Sequence, residues 1–191
     1  MKFSALLLFV IAIGAMALVP AFGQVSSRSL SVRPGSANTS GLHHNSDRDF
    51  ALAAATFAKF SVIAGRLATM QARDGRLREL ADRMAQDQAA ALARLRTVAG
   101  RASIGLPALI GPNEEYRARI AAVRDREGAA FDHAYCMEQM DALQEAEGLL
   151  QSYAALGSNA PLRAWATRTI RLVREQQRNL KEIMSSDGGR P

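Results

Sequence analysis

Four polar residues fall on the apolar stripes of the long amphipathic segments of this sequence, and their types limit the chemistry of its interior. They are Ser61, Gln88, Glu147 and Gln176. A helical bundle that holds a two-metal centre projects carboxylates and histidines inward from facing helices. This set has one carboxylate, and amides are poor ligands for transition metals, which prefer imidazole, sulfur and charged oxygen. We therefore expect a metal-free polar layer in which Gln88 and Gln176 bond each other, a backbone group or water.

The remaining candidate residues do not assemble into a recognisable catalytic centre. His43 and His44 are adjacent on a segment expected to be flexible, where a closed metal site is rare. His133, beside Asp132, lies off the apolar stripe of its segment, which favours a surface or capping role. Cys136 is the single cysteine and lies on an apolar stripe, so we predict a buried side chain, with a reactive or intermolecular thiol as the alternative. Nucleophile-elbow, phosphate-loop, dinucleotide and metalloprotease motifs are absent, so we expect no enzymatic activity and no cofactor.

Four long segments and one short one must position these residues. Helical periodicity predicts a first helix that starts after Ser46 or Asp47 and runs to about residue 72, followed by helices at about 76–100, 113–125, 129–156 and 160–184. The predicted fold is an all-α, antiparallel four-helix bundle. Its long crossover between the second and third long helices contains the short helix, an arrangement typical of ferritin-like bundles. Six positions are predicted to be buried: Met84, Leu95, Leu143, Leu150, Val173 and Leu180.

The N-terminal sequence predicts export. Lys2 precedes an apolar run at 5–18, and small residues at Ala21 and Gly23 favour cleavage before Gln24. The run is shorter than the ~20 residues of a spanning helix, although an uncleaved anchor is the alternative. No other segment is judged apolar enough to span a bilayer. The predicted organisation is a signal peptide (1–23), a flexible linker (24–45), the bundle (46–185) and a disordered tail (186–191), in a periplasmic or outer-membrane-associated protein.

The charge balance is basic, with a formal net charge of +6 and a pI of about 10.2. Basic residues are spread among acids without a long run, which is typical of a solvated surface. We expect no specific nucleic-acid partner. The candidate partners are an unknown envelope protein or an anionic surface.

Several short motifs resemble those of a bacterial exported family, the domain-of-unknown-function family DUF4142, whose members are often described as outer-membrane proteins with a ferritin-like fold. The resemblance extends from about Asp49 to Ile183. The motifs that carry it are Asp49-Phe50, Ala81-Asp82-Arg83-Met84 with Asp87, Leu106-Pro107, Gly128-Ala129-Ala130, Phe131-Asp132-His133-Ala134-Tyr135 and the pattern of the last helix.

The resemblance also implies where family members carry candidate ligands. They tend to have a Glu on the first long helix, an Asp-His pair on the second, and a His on each of the other two. In this sequence the corresponding positions hold Ser61, Asp87-Gln88, Leu143 and Gln176. If those family positions bind metal, this chain has lost the ligands. We therefore expect a non-enzymatic exported bundle with a role in interaction or stress protection. The alternative is a ferritin-like metal-binding or redox protein, with Asp87 and Glu147 as residual ligand candidates.

Overall fold

The computed structural model describes the backbone of residues 39–187 and the side chains of residues 46–186. The predicted signal peptide, the linker up to residue 38 and the last four residues of the predicted tail lie outside the described residues. Within them the chain forms five helices and no strand, which confirms the all-α prediction. The helices are α1 (Thr39–Gln71), α2 (Gly75–Arg101), α3 (Glu114–Arg124), α4 (Gly128–Leu156) and α5 (Ala160–Asp187).

Each of the four long helices packs mainly against two others. Helix α1 contacts α2 and α4, and α5 contacts the same two, so the four enclose one core. The short α3 belongs to the connection between α2 and α4 and lies against α1 and α4. Side-chain hydrogen bonds link Asp47 of α1 to Tyr153 of α4 and Ser61 of α1 to Gln139 of α4. Since the later residue of α1 meets the earlier residue of α4, the two helices run antiparallel.

The core follows the predicted stripes closely. Met84, Leu95, Leu143, Leu150, Val173 and Leu180 are all at most 2% exposed, which confirms that prediction. The apolar face of α1 does not continue into its last turn, where Met70 is 76% exposed.

The interface between α1 and α2 depends on small side chains. A methyl group at Gly65 would lie 2.7 Å from the carbonyl oxygen of Ala81 and 2.9 Å from the Cβ of Ala85. Both distances are shorter than normal van der Waals contact, so only glycine allows the two backbones to approach this closely.

Two helix boundaries differ from the prediction. Helix α1 begins at Thr39 instead of after Ser46 or Asp47, because no proline interrupts residues 39–46 and the cost of Gly41 in a helix is only about 1 kcal/mol. Asp47, predicted as a possible cap, instead accepts hydrogen bonds from the hydroxyls of Tyr153 in α4 and Ser158 in the α4–α5 turn. Helix α5 continues to Asp187, three residues past the predicted end.

One segment of α1 is more apolar than predicted, since no segment after the N-terminal run was expected to be apolar enough to span a bilayer. Ser46–Gln71 in α1 is long and apolar enough to cross a membrane by length and composition alone. Of an 18-residue apolar stretch within this segment, 61% is buried in the structure, as in the core helix of a bundle. By itself the segment is therefore weak evidence for a membrane span.

Candidate functional site: the polar interior of the bundle

A buried amide pair connects α2 and α5 in the bundle interior. Gln88 and Gln176 are 1% and 2% exposed, and the Gln88 Nε2 donates to the Gln176 Oε1 at 2.9 Å. Of the partners predicted for these amides (each other, a backbone group or water), the structure shows that they bond each other. Each glutamine occupies one position of the apolar stripe of its helix, and this stripe faces the core because its residues recur every three or four positions. The bond satisfies one polar group of each amide, so the pair is tolerated in an apolar core.

A second buried pair connects α1 and α4 and differs from the prediction. The Gln139 Nε2 donates to the Ser61 Oγ at 3.2 Å, and both residues are at most 1% exposed. The family resemblance placed a candidate ligand position of α4 at Leu143, which is a fully buried core residue one turn further along the helix. Gln139 was missed, although it lies three residues after Cys136 and four before Leu143, which is the spacing of one helix face.

The described interior offers little free volume near these pairs. One cavity between α1, α3 and α4 is lined by Phe60, Tyr135 and Gln139, and another lies beside Gln88 and Trp165. Each has room for about one water molecule. Burial raises the pKa of the Tyr135 hydroxyl above its ordinary value, so this group stays neutral. The hydroxyl is buried without a hydrogen-bond partner among the described residues.

The two residual ligand candidates do not join the interior pairs. Asp87 is exposed on α2. Glu147 lies at the edge of α4, where its Oε1 accepts from the Arg174 Nε at 2.7 Å and from the Gln151 Nε2 at 2.8 Å. The Arg174 hydrogen bond holds the pKa of the Glu147 carboxyl below its ordinary value. Glu147 is therefore an ion-pair partner at the surface, not an unoccupied ligand.

The motif around His133 has a structural role through its neighbour. His133 is exposed, in agreement with a surface position, and Cys136 is buried as predicted. Asp132 is only 5% exposed, and its two carboxylate oxygens accept from the backbone N–H groups of Arg73 and Asp74, each at 2.9 Å. This carboxylate on α4 thus closes the turn between α1 and α2. The local sequence could not show this, because the partners lie 58 and 59 residues away.

Another polar cluster stabilises the end of the bundle where α1 enters the core. Asp47, 6% exposed, accepts from the hydroxyls of Tyr153 and Ser158, the latter at 2.8 Å. Phe50 stacks on Tyr153 with ring centres 3.7 Å apart. Burial first, and the bond to Asp47 second, raise the pKa of Tyr153. The cluster is closed on itself, so it fixes helix ends instead of presenting groups to a ligand.

The side-chain types present limit what this interior can do chemically. Among the described residues no group of three or more His, Cys, Asp or Glu is placed to hold a metal ion. The polar groups of the two interior pairs are amides and the Ser61 hydroxyl, which bind hydrogen-bonding groups better than transition metals. His43 and His44 lie outside the described side chains.

Comparison with known proteins identifies the family but no characterised relative. The family model named Domain of unknown function (DUF4142) matches residues 32–183. No curated protein and no solved structure shows a significant match. Since the family model spans most of the chain, from before α1 to the end of the α5 core, this protein belongs to the DUF4142 family.

Proposed function

We propose that this protein is an exported, non-enzymatic helical bundle of the bacterial cell envelope that acts through its surface, in interaction or stress protection. One observation carries the proposal. The inward polar positions are occupied by side chains that bond one another, Gln88 with Gln176 and Ser61 with Gln139. A core built in this way stabilises and aligns helices, and leaves the outer faces as the place where the protein acts.

Donor chemistry supports this proposal over the metal-binding alternative. A two-metal centre in a helical bundle needs several carboxylates and imidazoles on facing helices. At the corresponding positions this chain has a hydroxyl, two amides and an apolar side chain: Ser61, Gln88, Gln176 and Leu143. Glu147, the nearest carboxylate on the same stripe of α4, is held by Arg174.

Metal loading tests the proposal directly. The chain, purified without chelator and dialysed against Fe(II), Zn(II) or Cu(II), is expected to retain only substoichiometric metal by elemental analysis. A variant that restores the residues typical of the family serves as the positive control: Ser61→Glu, Gln88→His, Leu143→His and Gln176→His. Stoichiometric metal in the unmodified chain would refute the proposal and favour a metal-binding or redox protein.

Export is tested separately. When the full chain is expressed in a bacterial host, the envelope fraction is expected to contain a form that begins at Gln24. Intact-mass measurement distinguishes this form from the unprocessed chain. Recovery of only the unprocessed chain in the cytoplasm would contradict the envelope location.

A further inference from the structure

Arginine and acidic residues are unevenly distributed over the helices. Helix α4 has five acidic residues and no lysine or arginine. By contrast, two long stretches, 88–113 and 148–174, contain no acidic residue at all, yet together they hold seven arginines. The sequence suggested mixed charges because acids precede and follow each stretch closely along the chain.

The fold brings these two acid-free stretches together. The first includes the C-terminal half of α2 and the second includes the N-terminal half of α5, and these helices are neighbours. The indole N–H of Trp165 donates to the carbonyl of Ala91 at 3.2 Å, and the Gln88–Gln176 bond joins the same two helices. One end of the α2–α5 pair is therefore strongly basic.

Four exposed arginines form this basic surface, which we name the arginine face: Arg94, Arg101, Arg168 and Arg171. Arg94 and Arg101 are seven residues apart and Arg168 and Arg171 are three apart, so each pair lies on one side of its helix. Within the described part of the chain, none of the four has an acidic partner.

The other three arginines of the two stretches are already engaged. Arg174 pairs with Glu147, Arg96 donates to the carbonyls of Pro107 and Ala108, and Arg163 donates to the carbonyl of Gly157.

Two exposed leucines lie at the same end of the bundle. Leu109 is 93% exposed in the connection after α2, next to the carbonyls that Arg96 holds. Leu156, the last residue of α4 before the turn into α5, is 83% exposed. They are the most exposed large hydrophobic residues among those described. A surface that combines arginines with exposed leucines can bind a lipid interface, with guanidinium groups on phosphates and apolar side chains below them.

We propose that the arginine face, with Leu109 and Leu156, docks on the surface of an anionic phospholipid bilayer. The inference deepens the proposed function, because it names the surface partner of a protein that acts through its exterior. Charge complementarity supplies most of the attraction, since several unpaired arginines near a negatively charged leaflet add their contributions. Neither described cavity is lined by any arginine of the face, so a flat phosphate-bearing surface fits it better than an isolated small anion.

A nucleic acid shares the phosphate chemistry but fits the other features less well. Single strands are bound by aromatic side chains on which bases stack. The two acid-free stretches have only Tyr153 and Trp165 as aromatic residues, and both are buried. Exposed leucines also bring no advantage on a phosphate backbone, whereas they do on lipid.

Vesicle binding tests the inference. The chain from Gln24 is mixed with vesicles of phosphatidylglycerol and phosphatidylcholine, or of phosphatidylcholine alone, and bound protein is measured by sedimentation. We expect binding to the anionic vesicles only, with affinity that falls as salt rises. The variant with all four arginines of the face changed to glutamine should lose at least about 30-fold in affinity. All variants keep the same N-terminal segment, so its contribution cancels.

Two matched variants complete the design. The control replaces four exposed arginines elsewhere with glutamine and should lose much less: Arg48, Arg66, Arg83 and Arg124. Leu109→Ser with Leu156→Ser should weaken vesicle binding while leaving the net charge unchanged. Circular dichroism verifies that each variant is folded.

Three outcomes would overturn the inference: equal losses in the two four-arginine variants, no binding to anionic vesicles, or binding to duplex DNA but not to vesicles. None of these outcomes alters the metal analysis, so the inference and the proposed function can fail independently.

Discussion

Replacing Gln88 and Gln176 with leucine, singly and together, measures what the buried amide pair contributes. In the native protein the Gln88 Nε2 donates to the Gln176 Oε1, while the Gln176 Nε2 is buried without a hydrogen-bond partner among the described residues. Gln88→Leu leaves both polar groups of the Gln176 amide unpaired. A stranded buried group costs about 1–3 kcal/mol, so we expect a destabilisation in that range.

The reverse single change is expected to be milder. Gln176→Leu strands the Gln88 Nε2 but also removes the unpaired Gln176 Nε2, so one stranded donor replaces another. The double variant leaves an apolar contact of similar size and should be neutral or more stable than the native chain. The double-mutant cycle should therefore give a coupling energy of about 1–3 kcal/mol.

Urea unfolding, monitored by circular dichroism, gives the free energy of unfolding of the native chain and the three variants. Gln144→Leu, at an exposed position of α4, serves as the control and should change stability by no more than about 0.5 kcal/mol. If the losses of the two single variants simply add in the double variant, the two amides contribute to stability independently, contrary to the prediction.

Three further changes test the core, the helix contact and the surface ion pair. Leu150→Ala, at a site 2% exposed, should cost about 2–5 kcal/mol in urea unfolding, and a loss below about 0.5 kcal/mol would contradict its burial. Gly65→Ala should lower the melting temperature, because its methyl group would meet the Ala81 carbonyl at 2.7 Å; an unchanged or raised melting temperature would show that α1 and α2 separate easily. Because the pKa of Glu147 is lowered in the folded protein, its ionised carboxylate stabilises the fold at pH values above the ordinary carboxyl pKa. This stabilisation is lost as the pH falls through the lowered pKa of Glu147. Glu147→Gln should therefore be less stable than the native chain at pH 7 and equal to it in strong acid, and a stability difference that does not vary with pH would exclude the ion pair with Arg174.

Helix identity and core positions could be predicted because both depend on local periodicity. Leu95, Val173 and Leu180 are buried where the spacing of three and four residues placed them. The sequence also indicated that Gln88 and Gln176 need buried partners, because a polar residue on an apolar stripe must be hydrogen-bonded. It left open whether the partner is the other amide, a backbone group or water.

The features that the sequence did not reveal depend on contacts between distant segments. Helix α4 packs against α1, α3 and α5, so its buried face is wider than one stripe and includes Gln139. The role of Asp132 depends on backbone groups far away in the chain. The arginine face depends on which halves of α2 and α5 become neighbours, and composition alone cannot decide this.

The carboxylate of Asp132 also has a consequence for the order in which the chain can fold. Helices α1 and α2 are adjacent in sequence and can associate early, since local contacts form faster than distant ones. Two backbone N–H groups in their turn, however, receive their acceptor only when α4 arrives. Synthesis proceeds from the N-terminus, so the growing chain can make only a hairpin whose turn is incomplete until Asp132 has been added. The α1–α2 hairpin thus reaches its final form only after more than half of the bundle sequence has become available.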